Sequence, residues 1–355
     1  MKSQRPACRL LALLGIGVGV LAAPVLAQDC PEFVGSVDTP GGARGVAVSG
    51  SYAYVADGEE GLRVIDVSPP SAPVEVGFLD TLSGAVDVAV SGGYAYVADG
   101  EEGLRVIDVS VPSAPVEVGF LDTPGSAVDV AVSGNYAYLA DWTPGFRVID
   151  VSAPSAPVEV GLLANPPWAG GVAVSGSYAY VTYGWDSDAE DFRVIDVSTP
   201  SAPVEVALLD TPGWAKGVAV SGGYAYVAST WDSSPPPYQR GLTVIDVSTP
   251  STPVEVGFLG TPEEALAVAV SGSHAYVAFG TGGLRVIDVS NPSAPVQVGF
   301  ADTPGLALDV AVSGGYAYVA DWSAGLAVFL ECPLGWVFGD GFESGDTSAW
   351  SVTVP

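Results

Sequence analysis

The string Val-Ala-Val-Ser-Gly recurs seven times, starting at Val46, Val88, Val130, Val172, Val218, Val268 and Val310, with spacings of 42, 42, 42, 46, 50 and 42 residues. A period of this size signals a repeat architecture, in which no single unit buries its apolar face alone. Each unit carries the same four segments, seen first as Gly45 to Ser49, Tyr52 to Ala56, Leu62 to Val67 and Val74 to Asp80. All are short, rich in β-branched or aromatic residues, and bounded by Gly, Ser, Pro or Asp, which reads as four strands per unit. Four strands in about 40 residues is the blade of a propeller; turns of an open β-solenoid need about half as many. The expected fold is all-β: a seven-bladed β-propeller with four antiparallel strands per blade.

Turn chemistry agrees. Ser-Gly-Gly and Ser-Gly-Ser join the first two strands tightly, and Ser-Pro-Pro-Ser-Ala-Pro joins the third and fourth. Prolines stop a ladder, so the fourth strand belongs on the outer edge and the first beside the axis. Blade four gains residues around Tyr183 to Asp191 and blade five around Ser229 to Arg240, both between the second and third strands.

The Val-Ile-Asp-Val-Ser segment, and stretches such as Gly134-Asn-Tyr-Ala-Tyr-Leu-Ala-Asp141, resemble the LVIVD repeat family across residues 31–332. The resemblance implies a bacterial or archaeal extracellular propeller without an assigned activity, and it offers no catalytic motif to carry over.

The termini suggest how the ring closes. Pro31 to Thr39 looks like a fourth strand with no blade before it, and Leu326 to Glu331 like a third strand with none after it. Pairing them completes seven blades and removes two free edges. Cys30 and Cys332 then align with positions held in an intact blade by Ala72 and Ser68, across one Pro-rich turn. A disulfide Cys30–Cys332 is expected, the alternative being two separate thiols.

Three further regions are expected. Lys2, Arg5 and Arg9 precede an apolar run, Leu10 to Ala23, and Val25-Leu26-Ala27 fits a cleavage site, so residues 1–27 read as an export signal that also removes Cys8. Residues 28–333 form the propeller. Residues 334–355 break the repeat and read as a polar tail, either a sorting tag or disordered, with Trp336 and Trp350. The product would be secreted or held at the cell surface. No later stretch is apolar enough to span a bilayer. A monomer is expected.

Composition excludes some partners. The chain has 40 acidic and 11 basic residues, net −29, which repels phosphate backbones and anionic membranes. Nucleic acid is therefore not an expected partner; extracellular glycans, peptides or proteins are. Catalytic signatures are missing: Gly-x-Ser-x-Gly and His-Glu-x-x-His do not occur, and the one histidine, His274, replaces the first Tyr of a Tyr-Ala-Tyr strand. Lys216 is the only lysine after the export signal. The Asp of Val-Ile-Asp-Val (Asp66, Asp108, Asp150, Asp196, Asp246, Asp288) reads as a turn or hydrogen-bonding residue.

Variation gathers on the face formed by the loops between strands two and three and between strand four and the next blade. Trp142, Trp185, Trp231 and Trp322 fall in or beside the former loops, Trp168 and Trp214 in the latter, and Tyr183 and Tyr238 in the insertions. Trp142, Trp168, Trp185, Trp214, Trp231, Tyr183 and Tyr238, mostly in blades three to five, are the candidate ligand contacts, since exposed aromatics beside carboxylates suit sugar rings or an extended peptide. The alternative is that they pack between blades. Asp57, Glu59 and Glu60, repeated as Asp99, Glu101 and Glu102, read as a solvated acidic rim. Asp87, Asp129 and Asp309 stand before inner strands near the channel mouth, where oxygen ligands could suit Ca²⁺ without any calcium-loop spacing. The leading expectation is a non-catalytic binding propeller. A structural envelope protein comes second, and a carboxylate-based hydrolase or lyase at the channel mouth third.

Overall fold

A computed structural model describes residues 30–164, 168–184, 191–230 and 240–332. The expected export signal (1–27), most of both insertions with Trp185, Trp231 and Tyr238, and the 334–355 tail lie outside the described residues.

The described residues form 28 strands in seven four-stranded antiparallel sheets. In six sheets the order follows the chain, as in Gly45–Ser49, Tyr52–Ala56, Leu62–Asp66 and Val74–Leu79 of blade one. The seventh is composite. Asp309–Ser313, Tyr316–Ala320 and Leu326–Leu330 take Glu32–Val37 as their outer strand, with Phe33 opposite Phe329 and Val37 opposite Leu326. The register shift between Phe33 and Gly35 repeats the one that the other outer strands show, for instance between Val64 and Ile65 opposite Gly77 and Glu75. The N-terminal strand is therefore a true outer strand delivered from the other end of the chain. Cys30 and Cys332 are joined by a disulfide, their Cα atoms 5.5 Å apart and 302 positions apart in sequence.

Strand alternation puts one face of each blade against the next. Ala56, Leu62 and Val64 of blade one pack on Val88, Ala95, Val97 and Ile107 of blade two, and equivalent clusters fill all seven junctions. Fully burying such an aliphatic side chain stabilises by about 1.5–3 kcal/mol, so the core is a ring of seven junctions.

Small repeated devices fix the turns. Each Val-Ile-Asp-Val aspartate accepts the backbone N–H two residues on, as Asp66 does from Ser68 at 2.8 Å. Asp108, Asp150, Asp196, Asp246 and Asp288 do the same. Hydrogen bonds from Ser68 hold the Asp66 carboxyl below its ordinary range. His274 is buried and lies across from Asp288, in the place Tyr52 occupies opposite Asp66. Among the described residues no helix is long and apolar enough to cross a membrane.

Candidate functional site

The loops between strands two and three reach across to the next blade. Gly58 pairs with Ala85, Gly100 with Ala127 and Gly280 with Ala307 through short antiparallel bridges. The bridging residue needs a left-handed backbone, and Gly58, Gly100 and Gly280 have φ of 61°, 55° and 52°. In blades three and seven tryptophan fills this glycine slot: Trp142 bridges to Ala169 and Trp322 to Ala43, with φ of 22° and 42°. Trp168 is also left-handed, at 68°. A bulky residue at such φ costs of order 1 kcal/mol or more, and such strain concentrates at functional sites.

The candidate aromatics separate on inspection. Trp142 and Trp168 are half-buried and joined by a hydrogen bond from the Trp168 N–H to the Trp142 carbonyl. Trp214 is half-buried in an inner strand opposite Thr230. Tyr183 is fully buried, so the exposed role expected for it is corrected: its ring lies in the junction of blades three and four with Tyr138 and Phe146. Trp322 is 39% exposed.

Asp57 and Asp99 are likewise not part of a solvated rim; both are fully buried. Asp99 accepts from the Thr81 hydroxyl at 2.6 Å and the Ser83 N–H at 3.4 Å, and lies 3.3 Å from Arg105 Nε. Asp57 meets Thr39, the Gly41 N–H and Arg63 in the same way, and Asp141 meets Thr123 and Arg147. Asp321 accepts the Gly305 N–H at 2.8 Å, with Ala327 in the arginine position. In each case the donor loop comes from the preceding blade, so the aspartate locks two blades together. Glu60 and Glu102 stay near the surface, each on the arginine of its lock.

At the axis, two stacked rings of equivalent positions lie at the leading ends of the seven inner strands. The outer ring reads Arg44, Val86, Val128, Gly170, Lys216, Leu266, Leu308, and the inner one Gly45, Asp87, Asp129, Gly171, Gly217, Ala267, Asp309. The three acids reach to the following blade: Asp309 accepts the Val46 N–H at 2.8 Å, Asp87 that of Val130 at 3.0 Å and Asp129 that of Val172 at 3.0 Å. Gly45 leaves room for this, because a Cβ there would come within 2.7 Å of Asp87 Oδ1. Burial, then the neighbouring Asp87 charge and a hydrogen bond with Asp87, push the Asp129 carboxyl well up. Burial and the Asp87 charge push Asp309 up to about 7. Among the described residues no group of three acidic, histidine or cysteine side chains is placed to hold a metal ion. The geometry gives Asp87, Asp129 and Asp309 inter-blade hydrogen bonds.

Above these acids lies a cavity of about 380 Å³. Its walls are Arg44, Lys216, Asp87, Asp309, Trp322 and the aliphatic Val86, Val128, Leu266 and Leu308. The Arg44 guanidinium sits 5.3 Å from the Trp322 ring centre. Burial lowers the Lys216 ammonium, offset in part by Glu264. An apolar wall with a few convergent polar groups and one exposed aromatic is the make-up of a small-molecule site, and the volume falls in the range of roughly 300–1,000 Å³ such sites occupy. Of the expected contacts among the described residues, Trp142, Trp168, Trp214 and Tyr183 do not line it, whereas Arg44, Lys216 and Trp322 do. Two sequence signals mark these three: cations at the same register position in blades one and five, and a tryptophan in a glycine slot.

A sequence profile described as the LVIVD repeat matches residues 40–81, 84–123, 124–164, 168–211, 212–261, 263–303 and 304–329. No curated protein matches the chain. Among solved structures, a chain of a mitotic checkpoint complex superposes with a TM-score of 0.70 at 13% identity, covering 92% of this chain and 99% of that one. The U3-55K structure gives 0.66 at 11% identity, covering 84% and 99%, and the computationally designed Ika8 protein 0.60 at 10%, also covering 84% and 99%. At these identities the likeness concerns the fold alone.

Proposed function

The chain belongs to the LVIVD repeat family, and from that premise we propose that it is an exported, non-catalytic binding propeller that takes its ligand at the axial mouth. The observation that carries this reading is the cavity of about 380 Å³, to which six of the seven blades contribute a wall residue. No single repeat could form it, so the ring exists as a whole around that space. The axial acids support a non-catalytic role, since each already serves as an acceptor between blades. Export is supported by the composition of residues 2–27 and by a disulfide, a bond that persists in oxidising compartments. The ligand is an extracellular glycan or peptide, and the ring acts as a monomer.

A second reading, a structural envelope protein, draws on the outer strands. Val74, Phe78, Val116, Phe120, Val296 and Phe300 are each more than half exposed, a belt repeated around the ring. Phe78 and Phe120 are partly covered by Arg63 and Arg105.

A glycan and peptide array probed with the protein and with Trp322→Ala separates the two. A saturable hit lost in the variant supports the binding reading. A blank array, with the protein retained on cell-envelope material, overturns it in favour of the structural one.

A further inference from the structure

Independently of the axial cavity, we propose that the chain's own residues 350–354 add to blade six as a fifth strand, on the free edge of Val296–Ala301. The seven sheets each end in an outer strand with one free edge. Such edges attract other strands, and charge is one way a chain blunts them. The outer strands of blades one to five carry a glutamate in second place, Glu75, Glu117, Glu159, Glu205 and Glu255. Blade seven opens its outer strand with Glu32. Blade six has no acid there; its strand reads Val-Gln-Val-Gly-Phe-Ala.

This edge is also the least covered. Val298 is 46% exposed, whereas the equivalent Val76, Val118, Val160, Val206 and Val256 are half-buried. The cause is local. Elsewhere the Pro-rich turn of the next blade lies over the strand: a Cβ on Gly77 would collide with the Pro112 carbonyl, and one on Gly119 with that of Pro154. Over Gly299 stands the Cys30 carbonyl instead, because the disulfide takes the place of the middle of that turn. Val296, Val298 and Phe300 are left exposed on one uncharged strand.

The place where the described chain stops selects the occupant. Cys332 is bonded to Cys30, and its N–H donates to Tyr276 Oη of blade six at 3.1 Å. Residues 333–355 therefore leave from beside this edge. A Gly-rich link such as 333–349 spans roughly 20–25 Å, about the length of a six-residue strand. Residues 350–354 read Trp-Ser-Val-Thr-Val, alternating apolar and polar without a charge, which is a strand pattern. The acids of the tail, Asp340, Glu343 and Asp346, all fall in the link. Strand addition takes its affinity from main-chain hydrogen bonds, and a short tether raises the effective concentration to about the millimolar range. A second copy has no such tether and brings a net charge of −29 against its own like.

Hydrogen exchange of the full chain tests this, read at the edge amides of Val296–Ala301 with Val116–Leu121 of blade two as the reference. After correction for intrinsic rates, the blade-six edge is expected to exchange about 10-fold or more slowly than the reference. Val352→Asp should return it to the reference rate and leave blade two unchanged. Equal rates in the unaltered chain overturn the inference, and that comparison needs no variant. Protection that survives Val352→Asp also overturns it, since another segment would then cover the edge. Protection lost on dilution assigns the edge to a second copy and overturns it as well. None of these outcomes bears on the axial site, which the array with Trp322→Ala tests separately.

Discussion

The seven blade junctions are not alike. Those between blades six and seven, seven and one, one and two, and two and three each carry a buried aspartate, Asp321, Asp57, Asp99 or Asp141, bound to the loop of the blade before. The three that remain carry Tyr183, Ser229 and Phe279 in that position. Tyr183 and Phe279 are buried among apolar neighbours, so hydrophobic filling replaces a polar lock. At the blade-five position the polar groups are poorly served: Ser229 Oγ, Thr243 Oγ1 and Thr211 Oγ1 all lack partners. Both insertions fall in this arc, as does Lys216. Repetition holds the first arc together by directional bonds, whereas the second has exchanged those bonds for loops and for a cation at the axis.

The largest effect expected on this contrast comes from the seam of the locked arc. Reduction, or Cys332→Ser, removes a cross-link across 302 positions and should cost up to about 5 kcal/mol, read from thermal unfolding with and without reductant. An unchanged midpoint would show that strand pairing alone closes the ring. Next, Asp99→Ala takes from the buried Arg105 its one buried carboxylate, leaving only the surface Glu102 and Asp122, and should cost roughly 3–5 kcal/mol in denaturant unfolding. Ser229→Ala at the matching site of blade five should stay within about 0.5 kcal/mol. Similar losses at both sites would erase the distinction between the arcs.

A smaller effect, with opposite sign, is expected at the axis. Asp309 titrates near 7 in the fold and ordinarily near 3.8, so the folded chain holds the extra proton between those values. Its contribution is fully present below 3.8 and is lost as pH rises through 7. Asp66 and Asp108, held low by Ser68 and Ser110, contribute stability above their ordinary pKa that is lost as pH falls. Stability should therefore peak at mildly acidic pH. Asp309→Asn keeps an acceptor for the Val46 N–H while removing the charge, and should raise stability at pH 8 by roughly 1–3 kcal/mol and flatten the pH dependence between 5 and 8. A destabilised variant at pH 8 would show that the charge itself is needed. Smallest of all, Trp322→Gly relieves a left-handed tryptophan and should stabilise by up to about 1 kcal/mol while abolishing ligand binding.

Much of this was legible in the chain. Blade number, strand order, the delivered N-terminal strand and the Cys30–Cys332 bond follow from a repeat whose period sets one blade and whose ends are complementary. The Asp57 and Asp99 locks were not, because a lone Asp after a strand looks the same whether it meets solvent or a threonine 18 residues earlier on another blade. The axial cavity was hidden for a related reason. Aromatic residues are conspicuous along a sequence and point to blades three to five, whereas most of the cavity wall comes from one inconspicuous register position in each of six blades. Arg44 and Lys216 are 172 positions apart and become neighbours in meaning only when the seven units are stacked in register.

With Glu32–Val37 seated in the last sheet and Cys30 bonded to Cys332, the described backbone is in effect a covalent circle. A protease that cuts one surface loop produces no fragment; the molecule stays in one piece, still ringed by its remaining junctions. Only a second cut, or reduction, can release a piece. For a chain read as living outside the cell, that turns the most exposed parts of the molecule into places where a single nick can be tolerated.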